Sequence, residues 1–239
     1  MKPARHILLV LLVVAASAVH QIAPAQDAPP SSQKGIFASE IEAFLKGDSL
    51  SPPPKNAILF IGSSIFKLWT NLKEQMAPLP VFNRAFGGSK TRDVLDQIEK
   101  IVFPYTPKII VYYCGSNDIN GGSQAARIFV GFMEFAERVA EILPDTRIYY
   151  VSINRAPQKQ ERWGTVDSVN ALVKEYCART LKCEFIDVNP ILFDVEGKPR
   201  MDLYVDDKLH LRERAYVEFA AKIKPILERA WAEVVGRGE

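Results

Sequence analysis

Five short runs rich in β-branched and aromatic residues, separated by segments of helical periodicity, constrain this chain more than any other feature. The runs are Ala57 to Ile61, Val81 to Ala85, Ile109 to Cys114, Arg147 to Ile153 and Glu184 to Val188. Their composition suits pleated, buried backbone. Thr91 to Ile101, after a loop holding Gly87-Gly88, reads as a helix. Ala125 to Leu143 sets Ile128, Phe132, Phe135, Val139 and Leu143 at three- and four-residue steps, and Val166 to Leu181 repeats Val169, Leu172, Val173 and Tyr176. Leu211 to Val235 does the same with Tyr216, Phe219, Ile223, Leu227 and Trp231. Each stripe gives its helix one apolar face. Strands alternating with helices of this length predict a parallel sheet covered on both sides, a three-layer α/β/α sandwich. Functional groups in such sheets gather in the loops at the carboxyl ends of the strands.

The segment ahead of the first run reads differently. Lys2 and Arg5 precede an unbroken apolar run from Ile7 to Val14, and Ala16-Ser17-Ala18 or Ala23-Pro24-Ala25 offers a small-residue cleavage site. Residues 1–25 are therefore expected to be a signal peptide, and the protein to be secreted or periplasmic. The apolar run is shorter than the roughly 20 residues of a spanning helix, so no stable membrane anchor is expected. Residues 26–55 read as a spacer followed by a short lead-in helix from Ile36 to Leu45, and residues 56–235 as one folded domain. Net charge is +2 over 239 residues, and cleavage after Ala25 would remove Lys2 and Arg5, leaving 28 basic against 28 acidic side chains. That balance argues against a nucleic-acid partner. Of the three cysteines, Cys177 and Cys183 could be joined in an exported protein, whereas Cys114 ends an apolar run and is expected to be buried and inert.

Four strand ends carry candidate chemistry. Leu59-Phe60-Ile61 runs into Gly62-Ser63-Ser64 and a helix-like Ile65 to Trp69. A serine at such a turn is exposed, and the free N–H groups of the helix favour negative charge beside it, though Gly-Ser-Ser is equally a common turn and cap. The second run leads to Gly87-Gly88-Ser89, where glycine lets backbone approach a ligand or simply turns the chain. The third ends in Gly115-Ser116-Asn117-Asp118; Asn117 could donate to an oxyanion or stabilise its own turn. Last comes Asp207-Lys208-Leu209-His210. Asp207 could be the N-cap of the final helix, or it could orient His210 so that the far ring nitrogen takes a proton from Ser64. Apart from His6 and His20, which fall in or beside the leader, His210 is the chain's imidazole. Together the four loops offer a hydroxyl nucleophile, an N–H, an amide and a carboxylate-supported base, the parts of acyl transfer.

With these motifs in this order, the chain resembles the SGNH hydrolases, the GDSL-type esterase and lipase superfamily, from about Ala57 to Trp231. The resemblance implies a flavodoxin-like fold with a five-stranded parallel sheet. It implies Ser64 as nucleophile rather than Ser63, Asp207 and His210 as its partners, and an oxyanion hole from Ser64, Gly88 and Asn117. Ser63 stands where the family has aspartate, Ala85 where many relatives have glycine, and Lys208 where glycine is frequent. The implied activity is hydrolysis of short acyl esters, acetyl among them, of a carbohydrate or lipid through an acyl-enzyme, with no cofactor or metal. A carbohydrate O-acyltransferase and a noncatalytic ligand-binding domain of the same fold are the competing expectations. Residues Asn154 to Trp163, with Arg155, Lys159, Arg162 and Trp163, either border the pocket or form a solvated loop.

Overall fold

In the computed structural model, which describes residues 35–236, the five apolar runs form one parallel sheet. The strands are β1 (Ile58–Gly62), β2 (Val81–Asn83), β3 (Ile109–Tyr113), β4 (Arg147–Val151) and β5 (Cys183–Ile186), in the order β2-β1-β3-β4-β5. The expected signal peptide lies outside the described residues. Among those described, no helix is long and apolar enough to cross a membrane.

Strand alternation divides the core into two layers. Ile58 and Phe60 of β1, with Ile109, Val111 and Tyr113 of β3, face one side; Leu59 and Ile61, with Ile110 and Tyr112, face the other. Every residue of both strands is buried, which explains why their runs are continuously apolar rather than alternating. Burying a side chain such as Phe60 contributes about 1.5–3 kcal/mol before the entropic cost of ordering it.

The first layer is covered by α2 (Ser64–Lys67), α3 (Leu72–Met76) and α9 (Glu213–Val235), whose Tyr216, Phe219, Ile223 and Leu227 meet the sheet. The opposite layer is covered by α1 (Ala38–Leu50), α4 (Thr91–Asp96), α5 (Ile98–Ile101), α7 (Ala125–Ile142) and α8 (Trp163–Arg179). A further short helix, α6 (Ser116–Asn120), leaves the end of β3. The three-layer expectation thus holds.

Local boundaries differ in instructive ways. The segment read as one helix from Thr91 to Ile101 breaks at Gln97, whose φ of −102° and ψ of 0° close α4. The lead-in helix runs on to Leu50, and its Asp48 carboxylate engages both the Arg84 guanidinium and the Tyr105 hydroxyl, fastening α1 beside β2. Cys114 is buried, and burial pushes its thiol well above the ordinary range, as expected of an inert cysteine. Cys177 and Cys183 are free thiols with their sulfurs 2.7 Å apart.

Gly62 closes β1 at φ +137°, opposite Tyr113 of β3; a Cβ there would stand 1.8 Å from the Tyr113 carbonyl oxygen. Backbone on both sides leaves no flexible group to yield. Gly62→Ala is expected to cost about 4 kcal/mol, a fall in Tm of roughly 8–16 °C in a thermal melt. A variant melting within a degree or two of the parent would contradict this strand-end geometry.

Candidate active site

Gly62 also sets the start of α2. Beyond it Ser63 is buried and extended, its N–H donating to Tyr113 O at 3.0 Å, and Ser64 is the first residue of the helix. The N–H of a first helical residue has no partner within the helix. Two contacts from elsewhere hold this short element in place: Tyr216 donates its hydroxyl to Ile65 O at 2.8 Å, and Asn83 Nδ2 donates to Phe66 O at 2.7 Å. Trp69 stacks on Tyr216 beneath it, the ring centroids 5.3 Å apart.

Ser64 Oγ lies 2.9 Å from His210 Nε2, and His210 Nδ1 lies 2.6 Å from Asp207 Oδ2. The other carboxylate oxygen, Oδ1, accepts the N–H of Leu209 at 2.8 Å and of His210 at 2.9 Å. Asp207 is therefore not the cap of the final helix: α9 begins at Glu213 with Arg212 at its N-cap. Its side chain shapes its own turn while reaching the ring. Partial burial works against ionisation there, but the N–H groups of His210 and Leu209, and then the imidazole, hold the carboxyl below its ordinary range. Lys208 sits in this turn at φ +58°, a left-handed conformation, so the glycine frequent at this position in the family has a backbone reason.

With Asp207 accepting from Nδ1–H, Nε2 carries a lone pair toward the serine hydroxyl. Such a row can move a proton from Ser64 to His210 and stabilise the imidazolium that results. Of the two adjacent serines, only Ser64 meets the ring; the Ser63 hydroxyl is buried without a hydrogen-bond partner.

The remaining expected groups meet at the neighbouring loops. Gly88 takes φ +78° and is exposed, with open space where a Cβ would be. The next residue, Ser89, donates its hydroxyl to Gly62 O at 3.0 Å and to Phe86 O at 2.9 Å, tying this loop to the end of β1. Asn117 Nδ2 donates to Ser89 O at 2.9 Å, which leaves its second amide hydrogen available. The structure thus brings Ser64, Asp207 and His210 into one row, and links the Asn117 side chain to the loop that carries Gly88.

Two supports escape sequence reading. Asp118 accepts the Thr91 N–H at 3.0 Å and hydroxyl at 2.8 Å, joining α6 to the start of α4; burial, opposed by these bonds, raises its carboxyl above the ordinary range. Lys159 is buried, and its ammonium donates to Ser116, next to Asn117. The aspartate of Gly-x-Asn-Asp was visible as a motif position but not as a helix-to-helix tie, and nothing in the polar run Pro157 to Arg162 marks one lysine for burial.

A parallel α/β/α sheet with a serine, an imidazole and a carboxylate in one hydrogen-bonded row at its strand ends holds the groups of a serine-nucleophile hydrolase on a flavodoxin-like sheet. Comparison with known proteins narrows this. The model of the GDSL-like lipase/acylhydrolase family matches residues 61–217, and the chain belongs to that family, within the SGNH hydrolase superfamily. No curated protein matches the chain. Among solved structures, a Bacteroides fragilis protein designated an acylhydrolase superposes with a TM-score of 0.70 at 18% identity, covering 81% of this chain and 98% of that one. A GDSL-like lipase from Bacteroides thetaiotaomicron gives 0.65 at 18% identity, with 80% and 98% covered. An acetyl esterase variant crystallised with acetate gives 0.61 at 15% identity, with 74% and 98% covered. At these identities the likeness shows the fold. Family membership supports esterase/acylhydrolase activity as a class.

Proposed function

We propose that the protein is an exported serine esterase, a carboxylic ester hydrolase that removes short acyl groups, acetyl among them, from a carbohydrate or lipid through an acyl-enzyme. The observation that carries the reading is the row Ser64 Oγ, His210 Nε2, His210 Nδ1, Asp207 Oδ2, with separations of 2.9 and 2.6 Å. His210 takes the Ser64 proton as Oγ attacks the ester carbonyl. The N–H groups of Ser64 and Gly88 with the Asn117 amide receive the negative charge that forms on the carbonyl oxygen. Collapse expels the alcohol, which takes the proton from His210, and water repeats the sequence on the acyl-serine. Each oxyanion donor contributes about 3 kcal/mol in comparable serine hydrolases. The acetate-bound acetyl esterase among the structural neighbours offers a parallel for the acetyl preference.

The test pairs a covalent probe with a substrate series. A fluorophosphonate is expected to form one adduct, mapped to Ser64 by mass spectrometry, and nitrophenyl esters of increasing acyl length are expected to be cleaved fastest at the short end. Folded protein that takes up no adduct would instead support a binding domain. Transfer of the acyl group to a carbohydrate hydroxyl in preference to water would support an acyltransferase.

A further inference from the structure

The segment Pro157–Arg162, two 3-10 turns after β4 that meet at a kink at Lys159, lies against both halves of the site. The Gln158 N–H donates to Lys208 O at 3.1 Å, two residues from His210. On the other side Lys159 Nζ donates to Ser116 O at 3.2 Å and to the Ser116 hydroxyl, and Arg162 Nη1 donates to Asn120 O at 2.9 Å and to Ile119 O. Those acceptors all belong to α6, which carries Asn117. The segment and the end of α6 line an open cleft of about 740 Å3 whose wall includes Asn120, Gln158, Lys159, Gln160 and Arg162. Asn120 is three residues beyond Asn117, about one helical turn or ~5 Å along α6.

The charges in this wall are out of balance. Lys159 is 4% exposed, yet its hydrogen bonds go to a hydroxyl and a carbonyl, and those of Arg162 go to carbonyls. Neither cation forms an ion pair among the described residues. Nearby carboxylates are engaged elsewhere: Asp167 holds Arg155 at 2.6 Å, and Asp118 accepts from Thr91. Glu161 is the acidic residue in the wall. Burying an ammonium against neutral acceptors costs more stability than a methionine of similar length would. Burial, then the charge of Arg162, pull the Lys159 ammonium down to about 8, the effect expected of a cation without a counter-ion. Were the segment needed only to brace α6, neutral side chains would serve.

We propose that this cleft is a subsite for an anionic group borne by the ester substrate, a carboxylate, phosphate or sulfate, with Arg162 as the accessible partner and Lys159 as the fixed charge behind it. The proposal rests on the esterase reading of Ser64 and names the substrate class within it. Arg162 is exposed enough for its remaining guanidinium N–H groups to meet a solvated anion, in the forked geometry suited to oxyanions.

Three aryl esters at pH 7 test it, each corrected for uncatalysed hydrolysis: nitrophenyl acetate, a nitrophenyl ester whose acyl chain ends in a carboxylate, and the acetate of a carboxylated nitrophenol. One of the two anionic esters is expected to exceed the neutral one in kcat/KM by about tenfold or more, the worth of one charge-assisted contact. Which one does so places the anion on the acyl or the alcohol side. The anionic-to-neutral ratio is expected to fall toward one in Arg162→Gln and in Lys159→Met, with a thermal melt of each variant checking that it is folded. Hydrolysis of the neutral ester with no anionic preference overturns the subsite alone, as does a preference that survives Arg162→Gln. No turnover of any ester, with no fluorophosphonate adduct at Ser64, overturns the esterase reading and the subsite with it.

Discussion

Ser64→Ala is expected to lower kcat/KM on a short nitrophenyl ester by roughly ten-thousand- to million-fold, the loss seen when a serine nucleophile is removed from a working triad. The hydroxyl lies 2.9 Å from His210 Nε2, and the side chain is only partly buried, so its removal empties the row without opening the core. The melting curve should barely move. Ser63→Ala is the matched comparison, because the Ser63 hydroxyl is buried without a partner and relinquishes no bond. Removing an unsatisfied buried hydroxyl is expected to be neutral or to stabilise the fold by about 1 kcal/mol. Initial rates, thermal melts and burst amplitudes of both variants check the pair. Near-parental turnover in Ser64→Ala would remove Ser64 from the proposed role, and an equal collapse in Ser63→Ala would overturn the contrast drawn between the two serines.

That contrast illustrates which parts of the site could be read in the sequence. Strands buried on both faces must be apolar throughout, so Ile58 to Ile61 and Ile109 to Tyr113 declared themselves, and with them the strand ends where Ser64 and Asn117 sit. The Gln97 break was hidden because Val94, Ile98 and Ile101 keep helical spacing across it and stay buried. Asp207 was ambiguous for another reason. An aspartate shortly before a helix reads as a cap, and only the tertiary position of the turn shows that its oxygens serve Leu209, His210 and the ring while α9 starts later. Lys159 was legible only as part of a segment that borders the pocket or forms a solvated loop; its burial was not, because that depends on Ser116, distant in sequence.

Asp207→Asn is expected to cost roughly a thousand- to ten-thousand-fold in kcat, more than loss of one surface charge, because it reverses a tautomer. The carboxylate accepts on every side: Oδ1 receives the N–H groups of Leu209 and His210, and Oδ2 faces His210 Nδ1. An asparagine that keeps its oxygen on the two backbone N–H groups must turn Nδ2 toward the ring, where it donates. Nδ1 then becomes the acceptor, the ring proton moves to Nε2, and Nε2 confronts Ser64 with a hydrogen instead of a lone pair. The opposite amide orientation restores the ring contact but points a donor at two donors, so neither placement satisfies the turn. Asp207→Ala removes the carboxylate without imposing the wrong proton, and should lose no more activity than the asparagine variant. Imidazole NMR separates these cases, with the His210 signals assigned by their absence in His210→Ala. The parent should carry its ring proton on Nδ1 and Asp207→Asn on Nε2. An asparagine variant that retained both the Nδ1–H tautomer and near-parental kcat would show that Asp207 only shapes the turn.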